Sequence, residues 1–343
     1  MRNATLTEVL AERFNLLPAA VHDTFSAVLF GRTLAVAVRL GVFESLHMHP
    51  QSSESLAAKL GLSTRGTELM LQSLEACEYL EKCSGMYRVT RRAKKWLVRS
   101  SPSYLGNFIE YIELLHTHWL SLEETLRDGH PRQTYFETFG AKEWKVYTLG
   151  MMDLARLVFP KLSKHIKVPS TSKRLLDLGG SHGFYSIEMC RLHPSLVAEI
   201  VDVPQVLSTT REILTGNRME QRITLVPGNL ASLHLEHGKY DIVFAFNILH
   251  GFDAETNQRL IRAAAKSLTP QGVVYILDQF VNSASKGIER LLPLMVGLNL
   301  MHEVGGDVYT CAEIREMCKK AGLQEVKQHT VGLPGVKLLS ARR

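Results

Sequence analysis

From about residue 170 onward, short apolar runs alternate with amphipathic segments. The apolar runs have the length of buried strands and lie at 174–178, 197–201, 222–226, 240–247 and 272–279, and two terminal strands are predicted at 325–330 and 336–341. The amphipathic segments have helical periodicity and lie at 183–193, 204–215, 254–268, 288–301 and 311–321. This alternation predicts an α/β fold with a doubly wound, mostly parallel sheet of seven strands. A turn at 332–335 predicts a final antiparallel hairpin, which is unlike a dinucleotide-binding domain.

Residues 1–100 carry helical patterns followed by a small β signal. An amphipathic pattern covers 1–17, a capped helix covers 52–62, and a second helix runs from Ser63 to about Leu80. A short hairpin follows at 81–90, with its turn near Ser84 and Gly85. Helix, turn, helix and hairpin in this order predict a winged-helix domain.

A winged-helix domain can serve either to bind DNA or to form a dimer. The second helix carries the acids Glu68, Glu75 and Glu78, which would repel phosphate. The apolar segment at 29–43 needs a surface to cover it. We therefore expect a dimerisation domain over 1–100.

Residues 101–170 form a helical segment rich in His, Trp, Tyr and Met, which we interpret as a linker that contributes to a substrate pocket. His116 and His118 look like a metal pair, but residues two apart on a helix do not share a face. We therefore expect no metal site there. Residues 171–343 form the third predicted region.

Composition narrows the class of protein further. The 343 residues are 45% hydrophobic and 22% charged, and the formal net charge of +6 is too mild to indicate nucleic-acid binding. No apolar run is long enough to span a membrane, and the N-terminus lacks the pattern of a signal peptide. The five cysteines form no C-x-x-C pair. These features predict a cytoplasmic protein with reduced cysteines.

The loop after the first predicted strand carries the main ligand signal. Asp177 ends the strand and is followed by Gly179, Gly180, Ser181 and Gly183. A dinucleotide fingerprint would read G-x-G-x-x-G, and a tight turn without any ligand is the plainer reading. An acid before the first glycine suits a cationic ligand, because it would repel a phosphate. This spacing favours S-adenosylmethionine.

Other strand ends add candidate residues. Asp202 can accept hydrogen bonds from ribose hydroxyls, although it can also be an ordinary surface acid. Asn229 and Leu230 are candidates for contacts with adenine. His250 follows the fourth predicted strand, where it is either structural or a general base for a hydroxyl group.

These motifs together resemble the class I S-adenosylmethionine-dependent small-molecule O-methyltransferases, such as the caffeate and acetylserotonin O-methyltransferases and bacterial tailoring enzymes. The family's glycine loop matches 177–183, its Asp-Leu-Pro matches 202–204, its catalytic segment matches 249–252, and its glycine pair and threonine match 305–306 and Thr310. Three positions depart from the family pattern. Asn229 replaces an aspartate, 251–252 reads Gly-Phe in place of Asp-Trp, and Val308 stands where a glutamate that orients the histidine is expected.

The resemblance implies a seven-stranded, Rossmann-like methyltransferase sheet and an N-terminal winged-helix domain that forms a homodimer. It implies methyl transfer from S-adenosylmethionine to a hydroxyl of a small, aromatic metabolite, with S-adenosylhomocysteine as product and His250 as base. Glu303 or Asp307 is a candidate to orient His250. The predicted cofactor-binding residues are Asp177, Gly179, Gly180, Ser181, Gly183, Asp202, Val203, Gly228, Asn229, Leu230 and Asn247. The predicted substrate-pocket residues are Trp119, Phe136, Met151, Met295, Asn299 and His302.

Two alternatives remain open from the sequence. One is a C- or N-methyltransferase, or another reaction on the same fold, which the absence of a clear acid partner for His250 motivates. The other is a winged-helix regulator that senses S-adenosylmethionine. We expect no metal, nucleic-acid or membrane partner.

Overall fold

The computed structural model describes residues 19–343, so the helix predicted at 1–17 lies outside the described residues. The chain separates into two compact units, with the division between Thr117 and His118. Each unit has its own hydrophobic core.

The first unit contains helices and one hairpin. Its elements are α1 (Ala19–Arg39), α2 (Val42–Met48), α3 (Ser53–Leu60), α4 (Thr64–Ala76), β1 (Leu80–Cys83), β2 (Met86–Val89), α5 (Arg91–Leu97) and α6 (Gly106–His118). The hydroxyls of Ser52 and Ser63 accept hydrogen bonds from backbone N–H groups and begin α3 and α4, as their sequence predicts. The prediction that α4 reaches Leu80 is wrong. The helix ends at Ala76, and Glu78 takes a positive φ of 61° to lead into β1.

Glu68, one of the acids of α4, binds both strands of the hairpin. Glu68 accepts hydrogen bonds from Tyr87 Oη (3.0 Å) and Lys82 Nζ (3.1 Å). Hydrogen bonds from Ser53 and Lys82 lower the pKa of Glu68 to about 2. An ionised carboxylate therefore ties α4 to both strands of the hairpin.

The second unit is an α/β sheet preceded by helices. Its helices are α7 (Leu122–Asp128), α8 (Tyr135–Thr138), α9 (Ala141–Leu162), α10 (Phe184–Leu192), α11 (Pro204–Asn217), α12 (Ala254–Ser267), α13 (Ile288–Val304) and α14 (Cys311–Lys320). Its strands are β3 (Arg174–Leu178), β4 (Val197–Asp202), β5 (Ile223–Pro227), β6 (Tyr240–Phe246), β7 (Leu268–Gln279), β8 (Gln324–Thr330) and β9 (Val336–Arg342).

The seven strands are arranged in the order β5-β4-β3-β6-β7-β9-β8. Strands β3 to β7 are parallel, whereas β9 runs antiparallel to both β7 and β8. This confirms the predicted doubly wound sheet and its terminal hairpin. The order changes direction between β3 and β6, which is where open α/β sheets form a ligand crevice.

Alternating side chains of each strand enter two different cores. Leu175 on β3 packs on one face of the sheet with Ile200 and Phe244, whereas Leu176 packs on the other with Val243. Both faces are covered by helices, so the central strands β3, β6 and β7 are buried along most of their length, whereas the edge strand β8 is largely exposed.

No helix within residues 19–343 is by itself long and apolar enough to cross a membrane, although the bent pair Asp23–Arg39 and Val42–Met48 passes that test jointly. All five cysteines are unpaired thiols. In the same range, no group of three or more His, Cys, Asp or Glu side chains is arranged to hold a metal ion.

Candidate active site

The predicted cofactor-binding residues meet at one edge of the sheet. Because β3, β4, β5 and β6 are parallel neighbours, their carboxyl ends lie side by side. Backbone hydrogen bonds join the loops that follow: Gly179 N–H donates to Val201 (2.8 Å), Gly228 N–H to Asp202 (3.0 Å), and Asn247 N–H to Leu277 on β7 (2.7 Å). Residues that are 70 apart in sequence therefore share one crevice edge.

Asp177 lies beneath the glycine loop and is only 1% exposed. Its Oδ2 accepts a hydrogen bond from Ser186 Oγ (2.7 Å), while Oδ1 has no hydrogen-bond partner among the described residues. A Cβ at Gly180 would lie 2.7 Å from the Asp177 carboxyl carbon, so only glycine lets the loop cover this acid. Burial raises the pKa of Asp177 to about 7, with a further contribution from the charge of Asp202.

Asp202 is oriented by two backbone amides. Ser181 N–H donates to Oδ2 (2.9 Å), and Val203 N–H donates to Oδ1 (2.7 Å). Burial raises the pKa of Asp202 to about 6, although both amide hydrogen bonds favour the ionised form. Ser181 itself has a positive φ of 38°, and its buried Oγ has no partner among the described residues.

Asn229 and Leu230 form the wall after β5. The side-chain oxygen of Asn229 accepts a hydrogen bond from Ala231 N–H (2.9 Å), which leaves its amide NH₂ group for other contacts. A Cβ at Gly179 would lie 3.5 Å from Leu230 and 1.9 Å from the Ile248 side chain. Gly179 is therefore required by the packing of Ile248 as well as by its positive φ of 65°.

His250 is paired with Asp278, a carboxylate that was not predicted as a site residue. Its Nδ1 lies 2.5 Å from Oδ1 of Asp278, which is buried at the end of β7. Asp278 also accepts hydrogen bonds from the backbone N–H groups of His250 (3.3 Å) and Gln279 (2.8 Å). An ionised carboxylate only accepts, so Nδ1 carries the proton and the lone pair lies on Nε2.

The turn that carries His250 is fixed from three sides. Leu249 is buried, and the side chain of Asn257 donates to its carbonyl oxygen (2.8 Å). Asp307 N–H donates to the His250 carbonyl (2.9 Å), and a Cβ at Gly306 would lie 2.2 Å from that oxygen. Gly305 and Gly306, which follow α13, therefore allow the backbone before Asp307 to pack closely against the His250 turn.

Neither acid predicted to orient His250 makes that contact. Asp307 is exposed, and its carboxylate accepts from Val308 N–H (2.7 Å). Glu303 is buried and faces His118 instead. A sequence signal for Asp278 exists: like Asp177, it ends a buried apolar strand.

Three of the predicted pocket residues are in contact. Trp119 Nε1 donates to Asn299 Oδ1 (2.8 Å), and the Trp119 and His302 rings meet edge to face at 6.1 Å. Phe136 packs instead against Trp144, and Met295 is 45% exposed on α13. Met151 is half-buried on α9.

Tyr147 on α9 was not predicted as a site residue. Burial and the charge of Asp202 raise the pKa of its hydroxyl to about 12, and its ring lies among those of Tyr135 and Trp144. Because its sequence position has no motif, only the packing of α9 against α10 and α11 brings it near Asp202.

The chain matches two family models. Residues 119–324 match the O-methyltransferase domain, and residues 22–99 match the O-methyltransferase dimerisation domain. It is 27% identical over 328 residues to the 3-hydroxy-5-methyl-1-naphthoate 3-O-methyltransferase of Streptomyces sahachiroi, with 93% of each chain covered. It is 24% identical over 324 residues to acetylserotonin O-methyltransferase of Bos taurus, covering 89% of this chain and 92% of that one.

A solved structure supports the same fold. Human N-acetylserotonin methyltransferase, in complex with S-adenosylmethionine, superposes with a TM-score of 0.84 at 20% identity, over 95% of this chain and 97% of that one. The predicted family and the predicted fold are confirmed. The chain belongs to the family of S-adenosylmethionine-dependent O-methyltransferases that carry an N-terminal dimerisation domain.

Proposed function

We propose that this enzyme methylates a hydroxyl group of a small aromatic metabolite, with His250 as general base and Asp278 as the residue that positions it. The observation that carries the proposal is the 2.5 Å contact between His250 Nδ1 and Asp278 Oδ1, on the turn after β6. His250 follows β6 and Asp278 ends β7, and β6 lies next to β3, the strand that leads into the glycine loop.

The residues of the crevice fit S-adenosylmethionine. Asp177 Oδ1 and Ser181 Oγ are buried acceptors without partners among the described residues, and Asp202 adds a second, half-buried carboxylate. A cationic ligand that also carries hydroxyl and amine donors satisfies such a set, whereas a pyrophosphate does not. Asp202 would hold the ribose hydroxyls, Asn229 and Leu230 the adenine, and the loop from Gly179 to Gly183 the amino-acid end.

When bound, S-adenosylmethionine supplies an electrophilic methyl group on a positively charged sulfur. The tautomer of His250 leaves Nε2 free to accept the proton of the acceptor hydroxyl as the new O–CH₃ bond forms and the S–CH₃ bond breaks. Asp278 stabilises the resulting imidazolium through Nδ1–H. His250 then releases the proton to solvent, and S-adenosylhomocysteine leaves with the methylated product.

An aromatic acceptor is supported by the side chains beside the crevice and by the relatives. The Trp119 ring packs against His302 of α13. A cluster of aromatic rings spans α8 and the start of α9 and consists of Tyr135, Phe136, Trp144 and Tyr147. Flat ligands pack well against such walls. Two relatives are named for methylation of a naphthoate hydroxyl and of acetylserotonin.

The test uses His250→Ala with naphthols and with a nitro-substituted phenol that is already ionised at the assay pH. For the naphthols, we expect kcat to fall by about 10²- to 10⁴-fold, the range that a positioned base contributes. For the ionised phenol the loss is expected to be much smaller, because no proton has to be removed. S-Adenosylhomocysteine formation measures the rate, and mass spectrometry with NMR identifies the methylated atom.

The matched control is His237→Ala, which removes an exposed histidine of the same unit. It should retain full activity. Equal losses for the neutral and the ionised acceptor in His250→Ala would assign His250 a structural role. Methylation at carbon or nitrogen would contradict the proposed acceptor.

A further inference from the structure

The second unit contains another histidine–carboxylate pair, formed by His118 and Glu303. His118 Nδ1 lies 3.5 Å from Oε2 of Glu303, whose side chain is 1% exposed. Neither carboxylate oxygen of Glu303 has a hydrogen-bond partner among the described residues. The His118 side chain is 21% exposed, and its ring meets Phe139 edge to face at 5.3 Å. The Glu303 carboxylate is thus buried, whereas part of the His118 side chain is exposed.

Polar contacts hold His118 against α13. His302 Nε2 lies 2.9 Å from the His118 carbonyl oxygen, and His302 Nδ1 lies 2.8 Å from Thr125 Oγ1. A carbonyl only accepts, so Nε2 of His302 carries a proton, and in the neutral ring Nδ1 accepts from Thr125. Both nitrogens of His302 are therefore used. In contrast, no described residue hydrogen-bonds to Nε2 of His118.

The pair lies close to the His250 turn. Glu303 precedes Gly306 by three residues, so their Cα atoms are at most about 11 Å apart. Gly306 touches the His250 carbonyl, as described above. Asn299 lies one helical turn before Glu303, on the same face of α13, and binds Trp119. Three of the predicted acceptor-pocket residues, Trp119, Asn299 and His302, therefore lie next to the pair.

Resting on the proposed function, we propose that His118 recognises a second hydrogen-bond donor of the methyl acceptor, a hydroxyl or an amine N–H, and that Glu303 positions His118 for it. An ionised Glu303 that lies 3.5 Å from Nδ1 favours the tautomer with the proton on that nitrogen, which makes Nε2 of His118 a hydrogen-bond acceptor. The acceptor thus carries a donor group in addition to the hydroxyl that is methylated.

The electrostatics of the pair agree with this assignment. Burial raises the pKa of Glu303 to about 7, and burial together with His302 lowers the pKa of His118. Both shifts disfavour a doubly charged ion pair. Above about pH 7 the pair is therefore expected to consist of an ionised Glu303 and a neutral His118, whose Nε2 presents a lone pair to its ligand.

The experiment measures binding by titration calorimetry in the presence of S-adenosylhomocysteine, so that no turnover occurs. The probes are the dihydroxynaphthalene isomers and their monomethyl ethers, which differ by one donor hydrogen. At least one diol is expected to bind wild type about tenfold more tightly than its ether, the usual value of one hydrogen bond to a polar group. His118→Leu and Glu303→Gln should bind diol and ether equally.

His118→Gln retains an acceptor oxygen near the position of Nε2 and should keep part of the preference. His116→Leu removes an exposed histidine two residues away and should keep all of it. Equal binding of every diol and ether by wild type, no binding of any probe, or an unchanged preference in His118→Leu would overturn the assignment. Turnover of the same diols by wild type tests the proposed function separately.

Discussion

The imidazole Nδ1 of His250 and the carboxylate Oδ1 of Asp278 are 2.5 Å apart, although 28 residues separate them in the chain. Strands β6 and β7 are parallel neighbours, so the residue that ends β7 lies beside the turn that follows β6. A histidine fixed in this way has one tautomer and one orientation before any substrate arrives.

The first prediction concerns this pair. Asp278→Asn removes the negative charge that, in the proposed mechanism, stabilises the imidazolium, and the amide can donate to Nδ1 and so leave the proton on Nε2. We expect kcat for a naphthol to fall by about 10²-fold or more, while the Kd for S-adenosylhomocysteine stays within about twofold. Steady-state kinetics and calorimetry measure the two values. A wild-type kcat in Asp278→Asn would remove Asp278 from the mechanism.

The second prediction concerns the glycine behind the His250 turn. In Gly306→Ala, the new Cβ would lie 2.2 Å from a backbone oxygen, which cannot rotate away. We expect a loss of about 1–3 kcal/mol in the free energy of unfolding together with a lower kcat, because the turn must shift. Denaturant unfolding and kinetics measure both.

Gly216→Ala is the matched control, because Gly216 lies in α11 and a Cβ there has no neighbour within 4 Å. It should stabilise the protein by about 0.5–1 kcal/mol. Unchanged stability and kcat in Gly306→Ala would contradict the close contact.

The third prediction concerns pH and Asp177. Its pKa of about 7 in the folded protein lies above the ordinary aspartate value of 3.8, so the folded state keeps a proton that the unfolded chain has lost. Asp177 therefore costs stability increasingly as the pH rises from about 4 to about 7, and the cost is constant above that range. Asp177→Asn carries no charge and lacks this dependence.

The difference in Tm between Asp177→Asn and ligand-free wild type should thus become more positive from pH 5 to pH 8. Thermal unfolding across this range measures it. The affinity of wild type for S-adenosylmethionine should rise over the same interval, because the cation favours ionised carboxylates. A Tm difference that does not change with pH would contradict the raised pKa.

The fourth prediction concerns the dimer that the family's N-terminal domain forms. Phe25, Val28 and Leu29 are 67%, 64% and 51% exposed on one face of α1 in the single chain. Replacing Phe25 and Leu29 together by Glu should convert the dimer to a monomer, because two buried charges would face their copies across the interface. Sedimentation velocity measures the change, with Leu192→Glu on α10 as the control.

A dimer that persists in the Phe25 and Leu29 variant would place the interface elsewhere. A monomer produced equally by Leu192→Glu would mean that added charge, not the position on α1, disrupts the assembly.

Local sequence was enough to predict most of the elements. The apolar run 174–178 agrees with β3 residue for residue, since a strand buried on both faces leaves an uninterrupted signal. The glycine loop was recognisable because Asp177 and the glycines are adjacent. The end of α4 was misplaced because Glu78 adopts a positive φ although it is not a glycine. Its sequence therefore does not mark the turn that precedes β1.

The sequence by itself determined the sheet, the glycine loop, the position of His250 and the family, because each depends on residues that are near one another in the chain. Only the tertiary structure decided the partners: Asp278 for His250, Tyr147 near Asp202, and Glu303 for His118. These pairs depend on strand order and helix packing, which join residues 28 to 185 positions apart. No local pattern encodes such a distance, because the pairing follows from how whole elements bury their apolar faces.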